Sequence, residues 1–336
     1  MTTLTTSLIA PSIKNRPKWG FVCGRISALE GKLLPREFFP SIIEMHHTED
    51  VFQHLQGTLI EDYLDPGVPW EDFSAVADRC FYDYAVSIRR DCPSPVPADL
   101  FLIKNDYLNI KTALAGMEDI RFLPGMIPEN TIISILDGEY DDLPPAFRER
   151  ITGSSINVSE MDQSLSDIFV DGAYLRQMLA LASAIDSPLI QTCVRELVFG
   201  HVVSALWRVL RQDRDLRQVA DYLLPVGDED LLVLELADIR DPSAWPEIIG
   251  GELGDLLSRA LQMPFEEQVS TFDLKVTNLV LHMATYARFE TSGPERVFDF
   301  LMALEAEMQN LKLVVTGKIN RIDPDILAQR LRYVNV

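Results

Sequence analysis

A cluster of histidines and carboxylates near residue 50 has the residue types that could bind a metal ion. His47 and Asp50 are three residues apart, and Asp50 and His54 are four apart. On a helix these spacings share one face, so two imidazoles and a carboxylate could hold a metal for a hydrolase. The simpler interpretation is a helix start, with Thr48 as its cap and Glu49 near its positive end. The sequence favours that start and predicts no catalytic, metal or cofactor site.

Motifs for nucleotide binding and for hydrolysis are absent from the sequence. It contains no phosphate-binding loop with its lysine, no serine elbow and no His-Glu-x-x-His pattern. The glycine-rich run 250–254 lacks a lysine and lies among acidic residues, which would repel phosphate, so we interpret it as a hinge or loop. His201 and His282 have apolar neighbours, and we expect both to be packed in the core.

The charge of the chain restricts the partners that it can have. Its 336 residues include 30 Lys and Arg and 51 Asp and Glu, giving a net charge of −21. This charge disfavours nucleic acid and anionic lipid and favours a basic protein partner, although an acidic surface can also serve solubility alone. Four dispersed cysteines without a C-x-x-C pair indicate a reduced, cytoplasmic protein. We expect neither a signal peptide nor a membrane-spanning helix.

Apolar residues recur at spacings of three and four along most of the chain, which predicts an all-α fold. Pro294–Gly317 is the clearest case, with a proline in its first turn and a glycine at its end. Similar long helices are predicted for Pro188–Gln212, Ala98–Ala115 and Trp19–Leu34. The run 131–136 is rich in isoleucine and fits a strand or a helix.

Three of the predicted long helices start about 100 residues apart, each after a proline-bearing turn, which indicates an internal repeat. Acidic residues are concentrated in two of the resulting segments. Residues 118–171 hold 12 acids and 3 bases, and residues 221–255 hold 10 acids and 1 base. If the repeats surround an axis, these stretches could line one surface. The predicted division is a flexible N-terminus and three helical repeats, with boundaries at 1–18, 19–117, 118–213 and 214–336.

Several segments of the sequence match motifs of one protein family. Trp19–Leu34 has an aromatic residue, then an arginine, a Leu-Glu pair and a Leu pair, and Asp106–Lys111 fits the signature D-x-x-N-[LI]-[KR]. Asp171–Leu175 matches in the middle of the chain, and 293–330 matches at the C-terminal end. In order and spacing these segments resemble the C subunit of rotary A/V-type ATPases, whose counterpart in eukaryotic vacuolar enzymes is the d subunit.

The resemblance implies a funnel-shaped subunit of three helical repeats that does no chemistry itself. It would receive the rotor stalk subunits D and F in its wide mouth and would sit on the cytoplasmic side of the membrane proteolipid ring. There it would pass torque between ATP turnover and proton or sodium transport, without a cofactor or a small-molecule substrate. A helical-repeat scaffold that binds another protein and has no part in a rotary enzyme is the alternative.

Polar residues of the matched motifs are candidates for structural or interface roles. Asp106 and Asn109 share one helix face, as do Glu307 and Asn310. We expect such pairs to bridge helices or to cap helix ends by hydrogen bonds, with contact to a rotor subunit as the alternative. The full set of candidates is Arg25, Glu30, Asp106, Asn109, Lys111, Glu305, Glu307, Asn310, Lys312, Lys318 and Arg330.

The middle repeat departs from the family pattern. Aligning the long helices places Val202 and Ala205 where the acid and the asparagine stand in the other two repeats. The sequence therefore predicts that this repeat has lost its polar pair. In the last repeat, either Glu307 and Asn310 or Glu305 and Lys312 are expected to make the polar contacts that Asp106 and Asn109 make in the first.

Overall fold

The computed structural model describes residues 17–45, 48–64, 69–116, 121–153, 158, 161–224 and 229–333. Of these residues 76% are helical, and they form 16 α-helices and no β-strand. The predicted all-α fold is confirmed.

The helices are numbered in chain order. They are α1 (Gly20–Glu30), α2 (Phe38–Glu44), α3 (Thr48–His54), α4 (Phe73–Asp91), α5 (Val96–Leu114), α6 (Glu129–Ile133), α7 (Pro145–Gly153), α8 (Gln163–Ser183), α9 (Pro188–Leu210), α10 (Leu216–Leu223), α11 (Asp230–Ala237), α12 (Trp245–Ile249), α13 (Gly251–Leu261), α14 (Gln268–Ala284), α15 (Pro294–Ile319) and α16 (Pro324–Gln329).

The predicted long helices are present, but several of their ends differ from the predictions. α15 continues past Gly317, where a Cβ would lie 2.4 Å from the Leu327 side chain. That glycine therefore permits close packing of α16 and does not stop the helix. α5 ends near Gly116 as predicted, since Gly116 has a φ of +63° that favours glycine. The isoleucine-rich run 131–136 lies in α6 and a following 3-10 turn.

The described residues form two compact units. Unit 1 comprises Met1–Phe101, Ser187–Ile190 and Asn278–Val336, and unit 2 comprises Leu102–Asp186 and Gln191–Thr277. These boundaries do not test the division into three repeats, which stays a prediction, as does the funnel shape. In unit 1, α15 is the central helix and packs against α1, α2, α3, α4 and α16.

Unit 2 is assembled around α8, which packs against α7 and α10. The approach to α10 is close, because a Cβ on Gly172 would lie 2.0 Å from the Tyr222 carbonyl oxygen. Arg150 of α7 donates to the carbonyl oxygens of Tyr222 and Leu224 and so satisfies the C-terminal end of α10. The same guanidinium group lies over the ring of Phe169, and its Cζ is 4.8 Å from the ring centroid.

One described helix, α9, is long and apolar enough to cross a membrane by length and composition. Of its most apolar stretch, 61% is buried inside the protein. Burial of this kind is what the core helix of a folded domain shows.

Candidate functional site

The first polar cluster holds the loop that follows α5. Asn109 donates from Nδ2 to the Leu123 carbonyl oxygen over 2.9 Å and accepts at Oδ1 from the Leu123 N–H over 2.8 Å. Asp106 accepts at Oδ1 from the N–H groups of Met126, over 2.8 Å, and Ile127, over 3.0 Å. Both side chains are buried. We call these two side chains and the backbone groups that they bind the loop clamp.

Two further residues support the loop beside the loop clamp. Gly125 lets the loop lie against α5, because a Cβ there would be 2.5 Å from Asp106 Oδ1 and 3.2 Å from Asn109 Nδ2. Asn105 donates from Nδ2 to the Pro124 carbonyl oxygen over 2.8 Å. Burial raises the pKa of Asp106 to about 6, although the two backbone N–H groups act in the opposite direction. The carboxyl group is therefore mostly ionised at neutral pH.

The second polar cluster lies on α15 and repeats the same arrangement. Asn310 donates from Nδ2 to the Arg332 carbonyl oxygen and accepts at Oδ1 from the Arg332 N–H, both over 2.8 Å. Glu307, one turn earlier, accepts at Oε2 from the Leu34 N–H over 2.7 Å. Both side chains have no exposed surface. We call the segment 330–333 the strap, and these side chains with their backbone partners the strap clamp.

The carboxyl group of Glu307 is satisfied less completely than that of Asp106. Its Oε1 is buried and has no hydrogen-bond partner among the described residues. Burial raises the pKa of Glu307 to about 8, opposed only by the bond from Leu34. This group is therefore mostly protonated at neutral pH. Burial, and then the nearby Glu307, raise the pKa of the Cys80 thiol.

Each clamp is followed by a lysine that forms an ion pair. Lys111 Nζ lies 2.5 Å from Oδ1 of Asp171 on α8, and Lys312 Nζ lies 2.7 Å from Oδ1 of Asp78 on α4. The three residues of the pattern [DE]-x-x-N-x-K therefore play the same roles in α5 as in α15. The acid and the asparagine bind backbone groups, and the lysine binds an aspartate on a neighbouring helix. The clamps bind backbone segments, where the sequence predicted helix bridges or helix caps.

Arg25 and Glu30, both predicted from the opening motif, tie α1 to its neighbours in unit 1. Arg25 forms an ion pair with Asp91 at the end of α4 and donates to the Ser87 carbonyl oxygen over 3.3 Å. Glu30 pairs with Arg296 of α15 over 2.7 Å. Both candidates therefore make contacts within the chain.

The remaining candidates lie around the C-terminal half of α15. Glu305 accepts from Gln309 over 3.1 Å. Lys318 donates to the carbonyl oxygen of Ile43 over 2.9 Å, and so binds the end of α2 to α15. Arg330 is exposed and follows α16. Of the predicted set, the structure brings together the members of each clamp and leaves Arg330 at the surface.

On α9, the long helix of the predicted middle repeat, apolar residues stand where the other two helices have the acid and the asparagine, but the helix has a charged contact that the sequence did not predict. Val202 is buried and Ala205 is half-buried on α9. On the same helix, Ser204 and Arg208 both bind the carboxylate of Asp273 on α14.

The histidine predictions have different outcomes. His47 lies outside the described residues, and His54 Nδ1 lies 2.8 Å from the carbonyl oxygen of Asp50. Within the described part of the chain, no group of three or more His, Cys, Asp or Glu residues is placed to hold a metal ion. His201 is half-buried. The prediction of a core position for His282 is wrong, because this residue is exposed on α14 beside Tyr286.

The described residues thus form an all-α protein with buried polar motifs on long helices. The chain belongs to the family described as ATP synthase (C/AC39) subunit, which it matches over residues 22–330. That range includes the polar side chains of both clamps and every candidate residue. Among curated proteins, the chain is similar to the C subunit of the A-type ATP synthase of Methanococcoides burtonii. The two are 20% identical over 349 residues, which cover 93% of this chain and 94% of that protein.

Proposed function

We propose that this chain is a non-catalytic central-stalk subunit of an A/V-type ATPase or ATP synthase. In this role it couples the D–F rotor shaft to the membrane proteolipid ring, and it lies on the cytoplasmic side, attached to the membrane through that ring. The observation that carries the proposal is the family match over residues 22–330. The curated relative is named as a subunit of an A-type ATP synthase, which favours the same assembly.

The clamps fit a mechanical role better than a binding role. Asn109, Glu307 and Asn310 are at most 2% exposed, so they bind this chain's own backbone and offer little to a partner. Buried polar side chains with specific partners favour one packing arrangement over others. A subunit that transmits torque needs such a fixed arrangement, whereas an enzyme would need polar groups that open to a substrate.

The acidic stretches suggest where a basic stalk would dock. Residues 118–171 and 221–255 both belong to unit 2, and most of their described acids are exposed, including Glu235, Glu247 and Asp255. We propose that these acids form the mouth that receives the tip of the D–F stalk. Opposite charges would accelerate association and make it depend on salt.

Calorimetric titration of the purified chain with a purified D–F complex, at low and high salt, tests this function. We expect 1:1 binding that weakens as salt rises, because screening reduces the attraction between exposed charges. The variant Glu235→Lys, Glu247→Lys, Asp255→Lys should bind more weakly at low salt and with a flatter salt dependence.

A matched control changes net charge equally outside the proposed mouth. Glu37, Glu44 and Glu71 are exposed acids of unit 1, and replacing all three with lysine should leave stalk binding close to wild type. If both triple variants weaken stalk binding equally, the acids of unit 2 do not form the proposed mouth, and binding responds only to net charge. If the folded wild-type chain does not bind D–F at low salt, the rotary function fails and the unrelated scaffold is favoured.

A further inference from the structure

In three ion pairs, a cation in the C-terminal half of α5, α9 or α15 binds an aspartate on a neighbouring helix. Lys111 of α5 binds Asp171, and Lys312 of α15 binds Asp78. Arg208 of α9 binds Asp273. The cation–aspartate contact is thus present on α5, α9 and α15, the three long helices whose spacing predicts the repeats, although α9 has no acid–asparagine pair.

The aspartates of these pairs occupy corresponding places in the chain. Each lies on the helix that directly precedes a long helix. Asp78 is on α4, before α5, Asp171 is on α8, before α9, and Asp273 is on α14, before α15. In each of these three ion pairs, the cation lies on a long helix other than the one that directly follows the aspartate.

The partners follow one order. The cation of α5 binds the helix before α9, that of α9 binds the helix before α15, and that of α15 binds the helix before α5. The first two contacts lie within unit 2 and the third lies within unit 1. In terms of the three predicted repeats, every repeat contributes one cation and one aspartate, and every cation binds the next repeat in cyclic order.

The exposure of these pairs argues for positioning and against a large contribution to stability. Side-chain exposures are 22% and 45% for Lys111 and Asp171, 56% and 30% for Arg208 and Asp273, and 30% and 26% for Lys312 and Asp78. Ion pairs of this kind contribute little to folding. Ser204 adds a hydrogen bond to Asp273, which fixes the orientation of that carboxylate.

We propose that Asp78, Asp171 and Asp273 are positioning residues, each of which holds the long helix of one repeat against the following repeat. The three contacts resist sliding of one repeat past the next when torque acts on the subunit. This inference rests on the proposed coupling function.

Charge swaps in the full chain, reconstituted into the rotary complex, test the inference. Lys111→Asp alone, or Asp171→Lys alone, should lower the number of ions transported per ATP hydrolysed. Either change should also lower Tm by about 1–2 °C in a chain of this size. The swap of both residues should restore both quantities, and Lys111→Arg should keep them near wild type.

The mismatched double variant Lys111→Asp with Asp273→Lys is the control, since it has the same net charge as the swap. It should restore neither quantity. If a reversal prevents folding, Lys111→Gln and Asp171→Asn replace it, and their effects on coupling should be less than additive in the double variant. Failure of the swap to restore coupling, equal rescue by the mismatched variant, or additive effects of the neutral changes would overturn the inference. Failure of the proposed function is distinct, because the wild-type chain would then support no coupling.

Discussion

The two clamps use the same side-chain pattern to bind partners at different separations along the sequence. In the loop clamp, Asp106 and Asn109 both bind one loop, and their partners lie 14 to 21 residues away. In the strap clamp, Asn310 binds the strap 22 residues away, whereas Glu307 binds Leu34, which is 273 residues away.

The two clamps differ in the number of side-chain hydrogen bonds that hold the loop and the strap. The loop is held by Asn105, Asp106 and Asn109 together. The strap is held by Asn310 and, outside the clamp, by Asn278, which accepts from the Tyr333 N–H over 3.0 Å. The same motif therefore holds one local loop by several bonds in α5. In α15 it holds a local strap by fewer bonds, and it makes a single long-range contact with Leu34.

The largest expected effect comes from removing the clamp asparagines. Asn109→Ala and Asn310→Ala each leave one backbone N–H and one carbonyl group without a partner, which should lower the free energy of unfolding by about 2–4 kcal/mol. Hydrogen exchange separates the two variants. We expect Met126 and Ile127 to stay protected in Asn109→Ala, because Asp106 still binds them. The Arg332 amide of the strap should lose protection in Asn310→Ala, because Asn310 is the side chain that binds it, and unchanged protection of Arg332 would contradict the comparison.

The two buried acids should give different pH dependences of stability. A carboxyl group with a raised pKa in the folded state contributes stability at low pH, which is lost as pH rises through that pKa. The loss from Asp106 should end near pH 6, whereas Glu307 should continue to lower stability to about pH 8.

The variant Glu307→Gln removes the part of the pH dependence that comes from Glu307. Wild type should lose about 2 kcal/mol of stability between pH 6.5 and 9, and Glu307→Gln should lose much less over that interval. Asp106→Asn is the matched control, and it should change the dependence only below pH 6.5. Denaturant titrations over this pH range measure both. Parallel curves for wild type and Glu307→Gln would show that Glu307 does not titrate there.

A smaller effect is expected from adding a methyl group in the loop. Gly125→Ala places a Cβ against Asp106 Oδ1, so the loop must shift, and we expect a loss of about 1–2 kcal/mol. The control is Gly24→Ala within α1, where no heavy atom lies within 4 Å of the added Cβ. This change should be neutral or stabilising by up to about 1 kcal/mol. Thermal unfolding of both variants measures the difference, and a stabilised Gly125→Ala would show that the loop does not contact α5 closely.

The smallest effect is expected from the clamp lysines. Lys111→Met and Lys312→Met should each lower the free energy of unfolding by only about 0.5 kcal/mol, since both ion pairs are partly exposed. The effect should shrink in high salt. A salt-independent loss of several kcal/mol would contradict a partly exposed, screened ion pair as the role of these lysines.

The sequence predicts the clamp side chains well and their partners poorly. The spacing of Asp106 and Asn109, and of Glu307 and Asn310, places each pair on one helix face whatever the fold. Their partners are backbone groups of Leu123, Leu34 and neighbouring segments, and backbone groups are common to all residues, so no side-chain pattern identifies them.

Other predictions failed because local pattern does not determine tertiary contacts. Gly317 has the sequence position of a helix stop but packs against Leu327 within a continuous helix. His282 has apolar neighbours in the sequence but lies on the outer face of α14. The aspartates Asp78 and Asp273 have no distinguishing spacing, and only the ion pairs with Lys312 and Arg208 reveal them.

Reconstitution of the rotary complex with and without this chain tests the coupling function most directly. ATP hydrolysis and ion transport would be measured on the same vesicles. We predict that omitting the chain leaves hydrolysis in place and abolishes ATP-driven transport, and that adding the purified chain restores transport. Transport that persists without the chain, or hydrolysis that requires it, would contradict its role as a non-catalytic coupling subunit.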